Sequence, residues 1–72
     1  MFIETQKSDY VNSSNVKCFH REDSETDIFY IYADKTLLGS YKTWDRTCKV
    51  FDKLMEVIIK GINEKTYSMP VD

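Results

Sequence analysis

Glycine is scarce in this chain of 72 residues, in which Gly39 and Gly61 are the only two. A phosphate-binding loop needs several glycines close together, because its backbone must approach the phosphate without interference from side chains. The sequence therefore excludes nucleotide binding by a glycine-rich loop.

Cysteine is equally sparse, with Cys18 and Cys48 alone. The amino terminus lacks the basic start and apolar core of a signal peptide. Without a secretion signal, two cysteines are expected to be reduced thiols rather than a disulfide. No apolar run approaches the roughly 20 residues that span a bilayer. These absences predict a cytoplasmic protein that does not act at a membrane.

Basic residues are not in excess, since 10 Lys and Arg stand against 12 Asp and Glu, for a formal net charge of −2. A protein that neutralises phosphates needs a clustered excess of positive charge. The charge therefore disfavours nucleic acid as a partner. A nucleic-acid-binding regulator remains the alternative hypothesis, and it would use basic residues placed among aromatic ones. These basic residues are Lys17, Arg21, Lys35 and Lys42.

Apolar residues are plentiful, at 42% hydrophobic and 14% aromatic, which excludes a disordered chain. The length leaves room for one domain over residues 1–72. Chains of this size bury only about 60% of the surface that they expose when unfolded. Association supplies stability that so small a core lacks, which favours a protein partner or a homodimer.

Short strands are predicted in the first part of the chain, within about residues 2–42. Turn formers and an acidic, exposed connection at 22–27 separate runs of high β propensity. The best-defined run is the inner strand at 28–33, which is continuously apolar or aromatic. The other predicted strands are 2–5, 10–11, 16–21 and 36–41.

A hairpin is predicted around Asp34-Lys35, which supplies a two-residue turn. The turn would place Ala33 opposite Thr36, and the register would then follow by counting along both strands. The further predicted pairs are Ile31 with Leu38, Tyr30 with Gly39 and Phe29 with Ser40. One face would carry Phe29, Ile31, Ala33 and Leu38, and the other Ile28, Tyr30, Tyr32, Leu37 and Tyr41.

The period changes to that of a helix over about residues 44–61. Thr43 is a suitable N-cap, and Gly61 can end the helix. Because Pro70 resists both helix and inner strand, the tail over 64–72 is predicted to be irregular. The predicted apolar stripe consists of Trp44, Cys48, Phe51, Met55, Ile58 and Ile62. The fold class is therefore α+β, a small antiparallel sheet of three to five short strands packed against one C-terminal helix.

No constellation for catalysis emerges from the sequence, so we predict no catalytic residue, cofactor or metal site. Cys18 and the single histidine, His20, would share a strand face, but a closed zinc site needs four ligands. An enzyme in which His20 activates Cys18 or Cys48 is the less favoured alternative.

Surplus apolar and aromatic surface points instead to protein binding. Tyrosine is enriched in protein interfaces, because it offers a large ring together with a hydroxyl group. Val50 and Val57 would lie at the edge of the helix stripe, where a partner could cover them. The candidate protein interface comprises Tyr30, Tyr32, Tyr41, Leu37, Val50 and Val57.

Two segments, residues 12–16 and 38–43 running into the helix, resemble a loose family of very small proteins of Firmicutes and their phages. In that family a "VN…NV" start precedes a β-hairpin, an "LG-x-Y" strand end and a capped helix. The resemblance covers roughly residues 10–60 and implies a β-rich sheet with one C-terminal helix. It also implies an accessory product of a phage or mobile element that acts by binding a host protein. Together with the missing catalytic set and the surplus apolar surface, this predicts a small non-enzymatic interaction protein that binds a host protein or itself.

Overall fold

The computed structural model describes residues 1–61 and 66–72. Within this part of the chain the strands form two three-stranded sheets, with orders β2-β1-β6 and β3-β4-β5. The elements are β1 (Phe2–Glu4), β2 (Tyr10–Asn12), β3 (Phe19–Asp23), β4 (Phe29–Ala33), β5 (Thr36–Tyr41), α1 (Trp44–Lys60) and β6 (Thr66–Ser68). The α+β class is confirmed, while the strands divide between two sheets instead of joining one.

The first sheet brings the two ends of the described chain together. β1 pairs antiparallel with β2, and its other edge pairs parallel with β6. The predicted irregular tail is therefore wrong for Thr66–Ser68. Pro70 follows the strand instead of interrupting it, so the ladder does not need the N–H group that proline lacks. The tail's predicted start at Glu64, like Ile62 of the predicted stripe, lies outside the described residues.

The second sheet contains the predicted hairpin. Asp34 has a φ of 53°, the left-handed conformation that the tight turn requires, and Ala33 faces Thr36 as predicted. The Asp34 carboxylate accepts hydrogen bonds from the backbone N–H groups of Lys17 and Cys18. The N–H groups of Lys17 and Cys18 therefore bind the turn, and β3 covers 19–23 rather than the predicted 16–21. The acidic connection covers 24–28 rather than the predicted 22–27, because β3 takes up Glu22 and Asp23 and β4 begins at Phe29 rather than at the predicted Ile28.

A β-bulge at Leu38 changes the register beyond the first pairs of the hairpin. Tyr32 pairs with Leu37, but Ile31 pairs with Gly39, so Leu38 is an extra residue on β5. The predicted pairs of Ile31 with Leu38, Tyr30 with Gly39 and Phe29 with Ser40 are therefore wrong. The shift by one residue turns Tyr41 to the core face, where only 1% of its surface is exposed.

The helix begins and ends where the sequence predicts. The Thr43 side chain accepts from the Arg46 N–H at 3.1 Å, and Gly61 closes the C-terminus with a φ of 57°. Its buried face, however, consists of Thr47, Val50, Leu54 and Val57. This face is rotated by roughly 100° from the predicted stripe at 3.6 residues per turn. The placement of Val50 and Val57 at an exposed edge is therefore wrong.

The core lies between the helix and the two sheets. Apolar side chains of both sheets meet those of the helix there, which explains why the Val50–Leu54 side of α1 is the covered one. Phe51, Met55 and Ile58, which belong to the predicted stripe, are partly buried at the margin of this core. Its buried members are Ile3, Ile31, Ala33, Leu38, Tyr41, Val50, Leu54 and Met69.

We expect Leu54→Ala to lower the free energy of unfolding by about 2–5 kcal/mol, because Leu54 is fully buried and its truncation leaves a cavity. Ile59→Ala is the matched control, since Ile59 is 81% exposed on the same helix and should change stability by less than about 0.5 kcal/mol. Denaturant unfolding of both variants measures the difference. Equal effects would contradict the assigned buried face.

Candidate interaction surface

The second sheet has one face toward the helix and one face away from it. Strand alternation places His20 and Glu22 of β3, Tyr30 and Tyr32 of β4, and Leu37 of β5 on the side away from the helix. Cross-strand pairs join His20 to Tyr32, Tyr32 to Leu37 and Glu22 to Tyr30. We call these five side chains the tyrosine face.

The rings of the tyrosine face are packed against one another. His20 and Tyr32 are stacked, with centroids 5.3 Å apart and planes inclined by 14°. The centroids of the Tyr30 and Tyr32 rings are 6.1 Å apart. His20 Nε2 is 3.1 Å from a carboxylate oxygen of Glu22. Each of these side chains therefore restricts the rotamers of its neighbour.

Of the predicted interface residues, the structure brings together Tyr30, Tyr32 and Leu37, all of which are half-buried. Tyr41, Val50 and Val57 are buried at 1%, 2% and 3% exposure and belong to the other side of the sheet or to the helix facing it. Their assignment to an exposed interface is therefore wrong.

His20 and Glu22 are members of the face that the sequence analysis missed. The sequence signal for them is their spacing, because residues two apart on a strand, such as His20 and Glu22 of β3, lie on the same face. Aligned with β4, that spacing places both beside the tyrosines. The register, which the sequence did not reveal, was needed to see it.

The opposite face of β3 carries Arg21, which binds the helix. Its guanidinium carbon lies 4.8 Å from the centroid of the Phe51 ring and 5.4 Å from that of Trp44. Its Nη1 donates to Cys48 Sγ at 3.3 Å. Cation–π contacts of this kind contribute about 0.5–1 kcal/mol at exposed sites. Arg21 therefore fastens β3 to the first turns of α1.

The hypothetical pairing of His20 with Cys48 is not formed, because adjacent strand residues point to opposite faces and Cys48 lies on the Arg21 side. Cys18 is exposed, and its thiol contacts the carbonyl oxygen of Phe19 at 3.7 Å. In the described ranges 1–61 and 66–72, no group of three or more His, Cys, Asp or Glu is arranged to hold a metal ion.

The four basic residues of the nucleic-acid hypothesis do not all lie together. The Lys17 N–H donates to the Asp34 carboxylate, which places Lys17 beside the turn that contains Lys35. Lys35 and Lys42 flank β5 at its two ends, about 20 Å apart for a strand of this length. Arg21 is engaged with the aromatic rings of the helix. This arrangement does not place all four charges in the continuous track that a phosphate backbone requires.

Tyr41 lies at a polar junction beneath the sheet. Its hydroxyl donates to the Pro70 carbonyl at 2.7 Å, and Gln6 Nε2 donates to the same carbonyl at 2.9 Å. The side-chain oxygen of Gln6, Oε1, accepts a hydrogen bond from the Ser40 N–H at 2.8 Å. Burial raises the pKa of Tyr41 from 10.0 to about 12, against the opposing effect of the nearby Arg46 charge.

Comparison of the chain with protein-family models, with curated proteins and with solved structures gave no match. The surface must therefore be interpreted from its own residues. Among the residues that the structure describes, no helix is both long enough and apolar enough to cross a membrane.

We expect the chain to lose stability between about pH 10 and pH 12, because the unfolded state releases the Tyr41 proton near 10.0 while the folded state keeps it to about 12. Tyr41→Phe removes this contribution, and at pH 8 it should cost about 1 kcal/mol through the lost hydrogen bond to Pro70. Denaturant unfolding should show that the difference in free energy of unfolding between the unmodified chain and Tyr41→Phe is smaller at pH 11 than at pH 8. Parallel pH profiles would contradict the assignment.

Proposed function

We propose that this chain is a small, non-enzymatic, cytoplasmic interaction protein that binds a partner protein through the tyrosine face. The observation that carries the proposal is the packed row of His20, Tyr32 and Tyr30 on the side of the sheet away from the helix. The resemblance to small Firmicutes and phage proteins supports a host protein as the partner and a phage or mobile element as the source of the chain.

The chemistry of the face suits a protein surface. Tyr30 and Tyr32 supply flat apolar area with hydroxyl groups, and Leu37 adds an aliphatic patch beside them. His20 and Glu22 place hydrogen-bonding groups at one margin, with side chains 36% and 54% exposed. An aromatic centre beside a polar margin is the usual anatomy of a protein interface.

Order in the free state also favours binding. Immobilising a side chain at an interface costs about 0.5–1.5 kcal/mol. The ring contacts at 5.3 and 6.1 Å restrict these side chains beforehand. Less of the binding free energy is then spent on ordering them, and we expect Tyr30 and Tyr32 to dominate the affinity.

Site-specific photo-cross-linking tests the proposal. A photoreactive phenylalanine analogue replaces Tyr30 in one variant and Ile59 in a control variant, and both are expressed in the cells that naturally produce the chain. Ile59 is 81% exposed on the helix, away from the tyrosine face. We expect a defined cross-linked host polypeptide from position 30 and none from position 59.

A second substitution makes the result specific to the face. Adding Tyr32→Ala to the position-30 variant should lower the cross-linking yield at least tenfold, because loss of a buried aromatic contact of about 2 kcal/mol or more is typical of an interface centre. Circular dichroism verifies that the variant remains folded. Equal yields from positions 30 and 59, no product, or a product containing only two copies of this chain would each contradict the proposal.

A further inference from the structure

The two outer edges of the second sheet differ in how they are covered. At the β5 edge, the Gln6 N–H donates to the Leu38 carbonyl, and the Gln6 side chain hydrogen-bonds both backbone groups of Ser40. At the other edge, β3 has β4 as its sole strand neighbour among the described residues. An edge strand presents a row of backbone donors and acceptors to another chain.

The backbone groups on the open edge can be identified from the ladder. Ser24 N–H donates to the Ile28 carbonyl, and Asp34 N–H donates to the Cys18 carbonyl. The pairing of β3 with β4 is regular between these two bonds, so even-numbered residues of β3 direct their backbone groups toward β4. The N–H and C=O groups of Phe19, Arg21 and Asp23 therefore point outward.

We propose that β3 pairs antiparallel with β3 of a second copy, about a two-fold axis at Arg21. In this register Arg21 faces Arg21, and Phe19 faces Asp23 of the second copy, so every outward backbone group gains a partner. His20 then faces Glu22 of the second copy. The product is a homodimer with one continuous antiparallel sheet in the order β5-β4-β3-β3-β4-β5.

Complete backbone pairing, together with the contacts of His20 and Glu22, favours this register over its neighbours. His20 and Glu22 of the second copy form pairs without hydrogen bonds between their backbones, where opposing side chains approach most closely, at about 4.5–5.5 Å between Cβ atoms. Sliding the strands by two residues in one direction opposes His20 to His20. Sliding them in the other direction opposes Glu22 to Glu22 but also opposes Arg21 to Asp23, so the side-chain charges alone do not separate that register from the proposed one. Those registers also leave one end of each strand unpaired.

The repulsion between Arg21 and Arg21 of the second copy is weakened by contacts that each guanidinium already makes in its own chain. Each Arg21 guanidinium lies over the Phe51 and Trp44 rings of its own helix. Asp23 of the second copy is its diagonal neighbour on the same side of the sheet, and opposite charges in that position attract. The edge carries charged residues, which usually oppose pairing, but the diagonal Arg21–Asp23 contacts offset the repulsion between the two Arg21 side chains.

The pairing uses the backbone edge of β3 and the side chains of His20 and Glu22 at the margin of the tyrosine face, and it leaves Tyr30 and Tyr32 to the proposed partner. It would place the tyrosine faces of both copies side by side on one surface. A partner with two-fold symmetry could then engage both at once, which raises avidity without a new contact.

Sedimentation equilibrium of the full chain tests the dimer. Asp23→Pro is the decisive variant, because proline lacks the N–H group that Asp23 directs outward. The pairing of β3 with β4 in the monomer does not use that N–H group. Asp23→Ala is the matched control, since it loses the same carboxylate but keeps the N–H group. We expect the Kd of the dimer to rise at least tenfold for Asp23→Pro and less than threefold for Asp23→Ala. Circular dichroism establishes that each monomer is folded.

A charge exchange provides a test that does not change the backbone. Glu22→Lys opposes a lysine to His20 of the second copy and should weaken the dimer at least tenfold, whereas the double variant His20→Glu/Glu22→Lys restores complementary pairs and should recover it to within threefold. A wild-type chain that stays monomeric up to about 1 mM, or a dimer whose Kd ignores these substitutions, would overturn the proposal. The edge pairing can fail while cross-linking from Tyr30 succeeds, and the reverse, so the two proposals are tested separately.

Discussion

The Pro70 carbonyl is one of the hydrogen-bond acceptors that join the two sheets, and it is the one on which both sides converge. Tyr41 of the second sheet and Gln6, which leads out of β1, both donate to it. Gln6 also completes the β5 edge through Ser40. Gly39 makes the convergence possible, because a Cβ there would lie 2.9 Å from the Tyr41 hydroxyl and 3.0 Å from Gln6 Cδ.

Local features of the chain were predictable because they depend on neighbouring residues. The Thr43 cap, the Gly61 terminus and the Asp34 turn follow from side-chain chemistry that acts within a few positions. The bulge at Leu38 does not, since it arises from the need to place both Leu38 and Tyr41 in the core. A one-residue change in register then reversed the predicted side of Tyr41.

The buried face of the helix also could not be predicted from neighbouring residues alone. Its apolar side chains span both the predicted stripe and the Val50–Leu54–Val57 face, and periodicity alone cannot say which part a sheet will cover. Arg21 contributes to the choice, because its contacts with Phe51 and Trp44 hold that side of α1 against the rim of β3. For the surface, tyrosines of β4 could be assigned in advance, while His20 and Glu22 needed the strand partner to be known.

The parallel pairing of β1 with β6 has a consequence for how the molecule is made. Glu4 and Ser68, joined by a side-chain hydrogen bond, are 64 positions apart in the chain, whereas β3, β4 and β5 are successive strands. Contacts between distant residues form slowly, because a long loop must close first. We therefore expect the hairpins and the helix to form before β6 pairs with β1, and the hydrogen bonds to the Pro70 carbonyl to form last.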